Sequence, residues 1–157
     1  MIPRKKGSIN LLISIILMLI VGCSNQTKSM LTESDKEYVN SEYGFVIEYP
    51  NQWVEKVMVV EQDNLVKFIY NKVPNDNGLL FSISVTPRNK GDSNEKVGCC
   101  GNIEVGRNDQ FIYVKHTVLE LPPICDVNKA DETCKKTEEE YLNMIRLFDP
   151  DKHFRLE

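Results

Sequence analysis

The chain is short of the residue types from which hydrolytic and redox sites are built. It has two histidines, His116 and His153, and no Gly-x-Ser-x-Gly, so a serine-type triad has little support. No Cys-x-x-Cys occurs, which argues against a thiol oxidoreductase and against a zinc site built on that spacing. Charge of the basic sign is also scarce: 23 Asp and Glu against 19 Lys and Arg give a formal net charge of −4. Nucleic-acid binding needs a basic patch, and this composition does not supply one. The one long apolar stretch, Leu11–Val21, has 11 uncharged residues. A stable membrane span takes roughly 20, so this stretch has instead the length of a signal-peptide core.

What is present begins with that stretch. Arg4, Lys5 and Lys6 precede it as a basic region, and Ile20-Val21-Gly22-Cys23 follows. These four residues resemble the lipobox of bacterial lipoprotein signal peptides: an aliphatic residue, two smaller ones, then cysteine. The resemblance implies cleavage before Cys23 and lipidation of its thiol, with acyl chains of the palmitate class. Residues 1–22 would then be a signal peptide. An ordinary secretory signal or an uncleaved anchor are the alternatives, but Val21-Gly22-Cys23 fits a small-x-small cleavage site poorly. One myristoyl-length chain binds membranes marginally, whereas two acyl chains on Cys23 hold firmly.

Loss of the three cations in residues 1–22 takes the formal charge from −4 to −7 and leaves 135 residues, enough for one domain with a real core. Residues 23–37 are polar, short of aromatics and without period, so they read as a lipidated flexible linker with a reach of about 20 Å. Residues 38–157 form the expected domain.

Within it, Tyr43, Phe45, Ile47 and Tyr49 alternate on one strand face before Pro50 ends the ladder. Trp53 is expected in the core. Strands are predicted over 56–61 and 65–71 across a turn at Gln62-Asp63-Asn64. Asn77-Gly78 predicts a turn with positive φ. Leu79–Pro87 alternates most clearly, and 102–106 with 110–119 predict a last hairpin. A helix is expected to start at the capping box Thr137…Glu140, to place Glu138-Glu139-Glu140 in its first turn, and to stop before Pro150. Tyr141, Ile145 and Phe148 give it one apolar stripe. The prediction is an α+β fold, an antiparallel sheet of about six strands with a C-terminal amphipathic helix on one face.

The order Tyr43-Gly44-Phe45-Val46-Ile47-x-Tyr49-Pro50-x-x-Trp53, then the strand Leu80-Phe81-Ser82-Ile83-Ser84-Val85, then Glu140-Tyr141-x-x-Met144, resembles the PsbP-like fold. That group includes lumenal photosystem II extrinsic proteins and small bacterial lipoproteins. The resemblance implies a domain used for binding or assembly, not catalysis, and it carries over no site residue.

Cys99, Cys100, Cys125 and Cys134 remain beside Cys23. Outside the cytosol, four loop cysteines point to disulfides. A vicinal Cys99–Cys100 bridge would be strained, which leaves 99–125 with 100–134, or 99–134 with 100–125. Free thiols, or a metal site completed by His116, are the alternatives. His116 shares a strand face with Ile112, Val114 and Val118 and is expected to be a half-buried structural histidine, with His153 solvated in the polar tail. The expected function is that of a membrane-anchored extracytoplasmic lipoprotein, attached through lipid on Cys23. It would be a non-enzymatic module without cofactor that binds an envelope protein. A solute- or metal-binding module and a thiol-dependent enzyme using Cys99, Cys100 and His116 are the alternatives.

Overall fold

The computed structural model describes residues 26–73, 75–89, 101–118, 124, 131–147 and 149–157. Among these residues nine strands fall into two antiparallel sheets: β1 (Gln26–Met30), β2 (Glu37–Asn40), β3 (Phe45–Glu48), β4 (Val57–Gln62), β5 (Leu65–Tyr70), β6 (Leu79–Pro87), β7 (Asn102–Arg107), β8 (Phe111–Thr117) and β9 (Phe154–Leu156). The large sheet has the order β1-β4-β5-β6-β8-β7, and the small one β2-β3-β9. Helix α1 spans Glu132–Leu147, and a single turn, α2, spans Pro150–His153.

The α+β class and the six-stranded antiparallel sheet match the sequence pattern, but the strand inventory differs from it. The segment around Tyr38–Pro50 is a hairpin, not one strand, and it belongs to the second sheet. The polar tail after Pro150 supplies β9, which pairs with β3. The linker expected over residues 23–37 is also corrected from residue 26 on. Gln26–Met30 pairs in full register with β4, from Gln26↔Gln62 to Met30↔Met58. Every β1 side chain is exposed, so no apolar alternation marks the strand; its backbone pairing alone holds it.

The core lies between the sheets and under α1. Alternation puts Val66, Phe68 and Tyr70 of β5 and Phe81, Ile83 and Val85 of β6 inward, each at most 1% exposed. Phe68 and Phe81 stack at 4.5 Å. Rings of the small sheet close over them: Tyr38 meets Phe68 edge-on at 5.4 Å, and Phe45 meets Tyr113 at 5.7 Å. Such pairs add about 0.5–1.5 kcal/mol each beyond area burial.

The turns follow local chemistry, with one exception. Asp63 takes a φ of +50° in the two-residue β4–β5 connection, a conformation that Asp tolerates because its short side chain bonds locally. Gly78, by contrast, has no positive φ. It sits in the 3-10 turn Asn75–Gly78, and a Cβ there would lie 2.4 Å from the Tyr70 carbonyl oxygen. Glycine is required by close approach, and the positive-φ expectation is corrected.

Helix α1 starts five residues before the expected capping box. Asp131 caps it, its Oδ1 accepting from the Cys134 amide at 2.7 Å, and Thr137 lies inside, its Oγ1 donating back to the Thr133 carbonyl at 3.0 Å. Both Asp131 and Thr137 carry the cap signature; the earlier one wins because residues 132–136 are all compatible with helix. Tyr141 and Met144 are buried, the Tyr141 ring stacks on Tyr70 at 6.3 Å, and its hydroxyl donates to the Leu79 carbonyl at 2.6 Å.

Glu140 is therefore in the middle of the helix, not its first turn, and it works as a latch to the sheet. It accepts from Lys56 Nζ at 2.6 Å, Tyr70 Oη at 2.5 Å and Lys72 Nζ at 2.9 Å. The bonds from Lys56, Tyr70 and Lys72, in that order, hold its pKa down from 4.5 to about 2. A carboxyl whose folded pKa is depressed stabilises the fold above its unfolded pKa, and that stability is lost as pH falls through the folded value. Wild type should thus exceed Glu140→Gln in thermal midpoint at pH 7, and the gap should close between about pH 4.5 and about pH 2. A gap unchanged across that range in melts at several pH values would refute the latch.

Candidate functional site

Two places have the geometry of a site. The first surrounds His116. On β8 its side chain leaves the outer sheet face, where the register sets Ser82 and Asn102 beside it on either neighbouring strand. Ser84 Oγ lies 2.6 Å from His116 Nε2, and Asn102 Oδ1 lies 2.8 Å from His116 Nδ1. An amide oxygen only accepts, so Nδ1 carries the proton and Ser84 donates to Nε2. Burial lowers the His116 pKa, which keeps the ring neutral in this arrangement.

Serine, histidine and an orienting oxygen in line have the polarity of a nucleophile–base relay. An uncharged amide, however, cannot stabilise the imidazolium that proton transfer would create as a carboxylate does. The three side chains instead tie β6, β8 and β7 together across the strands. No periodicity signals this cluster, because its members come together only through register; His116 alone was legible.

The second place is an open groove of about 680 Å³ where the free edges of the two sheets approach. Among the described residues β1 pairs only with β4, and β2 only with β3. Ser29, Met30 and Leu31 line one side, Tyr38 and Val39 the other, with Tyr49 and Glu61. The lining is held rigidly. Leu31 is buried and donates its amide to the Val57 carbonyl at 3.1 Å, and Tyr49 Oη donates to the Thr32 carbonyl at 2.9 Å. Tyr38 Oη donates to Glu61 Oε1 at 2.7 Å and accepts from buried Asn40 Nδ2 at 2.9 Å. Burial pushes the Tyr38 phenol well above its ordinary value, so it remains a donor at any physiological pH. Met30 and Val39, at 41% and 44%, are two of the three large apolar side chains that stand exposed among the described residues.

Cys23, Cys99, Cys100 and Cys125 lie outside the described residues. Cys134 is in the first turn of α1, half-buried, with its Sγ 3.6 Å from the Ile124 carbonyl oxygen. It is disulfide-bonded, and no disulfide joins two described residues, so its partner lies beyond them. His153, expected in solvent, is half-buried where the chain enters β9. Lys115 was missed: it occupies an inward strand position, 6% exposed, with Nζ 5.7 Å above the Phe81 ring. Burial lowers its pKa, and Asp149 partly restores it.

Among the described residues no three His, Cys, Asp or Glu side chains converge as a metal-ligand set, and no helix is long and apolar enough to cross a membrane. No family model, no curated protein and no solved structure matches the chain.

Proposed function

We propose that this is a lipid-anchored extracytoplasmic binding or assembly module with a PsbP-like domain, not an enzyme, and that the β1/β2 groove receives an extended segment of another envelope protein. The observation that carries the binding part is the pairing of two open strand edges around one groove. A free edge presents a row of unpaired amide and carbonyl groups, and an incoming extended chain can satisfy them by strand addition. Met30 and Val39 supply apolar contact beside those edges. Support for the anchor is the order of the basic region, the Leu11–Val21 stretch and Ile20-Val21-Gly22-Cys23. A disulfide at Cys134 fits the same compartment.

The test is crosslinking in intact cells, with captured proteins identified by mass spectrometry, for wild type and Val39→Glu. Val39 is exposed, so the substitution should leave the unfolding free energy within about 0.5 kcal/mol of wild type. A specific partner captured by wild type should be lost from Val39→Glu. Capture that is equal in both would remove the groove from the reading.

A further inference from the structure

The short interval in sequence between Cys23 and the first described strand bounds their separation. Gln26 is already hydrogen-bonded sheet, and Cys23 is three residues before it. Three Cα–Cα steps span at most about 11 Å, so the lipidated residue and the start of β1 cannot separate further. The end of the sandwich at Gln26 is a ring of connections. Gln26 pairs with Gln62, beside the β4–β5 turn. Tyr43 Oη, from the β2–β3 hairpin, donates to the Asp63 carbonyl at 3.2 Å, and Asn64 Nδ2 donates to the Val85 carbonyl at 3.0 Å. Arg88, just past β6, donates its amide to the Gln110 carbonyl in the β7–β8 turn at 2.7 Å. Met30, by contrast, is four residues along the strand, about 13 Å further from the tether.

Resting on the anchored reading above, we infer that lipid on Cys23 holds this end of the domain, with Glu42, Asp63 and Asp109 at its turns, directly against the phospholipid head groups. The groove then opens on the flank, with the Leu31–Lys36 side turned away from the bilayer. The partner segment reaches it from the side opposite the membrane. Against Glu42, Asp63 and Asp109 this end also carries Arg88 and Arg107, the latter paired with Glu104, so its described charges have no basic excess to attract anionic lipid and apposition comes from the tether.

The experiment uses the full chain in membranes, with a photoreactive benzophenone side chain placed singly at Glu42 or Asp109 on the near end, and at Glu33 or Gln52 on the far end. All four positions are exposed. Membrane fractionation first reports attachment, and phospholipid adducts after illumination then report proximity. Glu42 and Asp109 should yield lipid adducts several-fold above Glu33 and Gln52. A Gly-Ser linker of about 15 residues inserted before Gln26 lengthens the tether by about 20 Å and should erase the difference. Attached protein with equal adducts at both ends, or most at Glu33, would overturn the orientation alone. Protein absent from the membrane fraction would overturn the orientation and the anchored reading together.

Discussion

Trp53→Ala should destabilise the domain by about 3–5 kcal/mol, the range for removing a large aromatic side chain from a packed core. Trp53 is fully buried, with its ring centroid 5.8 Å from Phe81 and 6.4 Å from Phe68. Pro50 precedes the short 3-10 turn Asn51–Trp53, and the Trp53 amide donates to the Pro50 carbonyl at 2.8 Å, which aims the indole inward. Its removal leaves a void beside the stacked Phe68–Phe81 pair, where strands on both sides limit collapse. Domains of this size have total stabilities of about 5–15 kcal/mol, so the variant loses a large share. Urea unfolding followed by circular dichroism measures it, since the variant has no tryptophan to report. Trp53→Phe retains a ring and should lose markedly less, so an unfolded alanine variant still leaves the comparison readable. A loss under about 1 kcal/mol for alanine would place the indole outside the core.

With the lipid anchor proposed above, Cys23→Ser should release the protein from the membrane. Two acyl chains contribute about 0.8 kcal/mol per buried methylene, far more than the acidic domain could recover by itself. Fractionation of cells should move the protein wholly from the membrane to the soluble or secreted fraction, with its thermal midpoint unchanged because Cys23 precedes the first strand. Retention of the serine variant in the membrane, with wild-type Cys23 found free of lipid by mass spectrometry, would mean that the Leu11–Val21 stretch anchors the chain uncleaved, and the lipid reading would fall.

Elements with an apolar face are legible in the sequence. β4, β5, β6 and β8 could be read because one face of each meets the core, although Val60, Ile69, Ile112 and Val114 on the opposite face are buried as well. The stop before Pro150 was legible for a covalent reason, since proline restricts the residue before it. β1 was not legible: a strand with five exposed side chains has no pattern to read, and only its partner makes it a strand. β9 is three residues long, too short for periodicity to rise above chance.

The candidate sites divide the same way. The lipidation proposed at Cys23 rests on local order alone, because a signal is read as a linear segment. The Ser84–His116–Asn102 cluster, the Glu140 latch and the β1/β2 groove join residues distant in the chain, and strand register or helix placement brings them together. A one-residue slip of β8 would turn His116 to the opposite face and dissolve the first of these.

By itself, then, the sequence determined the class of the fold and the inward faces of its central strands, because periodicity is a local property. Only the tertiary structure decided that a second sheet exists, that Gln26 already belongs to the large sheet, and which polar side chains meet. Those depend on backbone pairing and register between distant segments, which side-chain pattern alone does not encode.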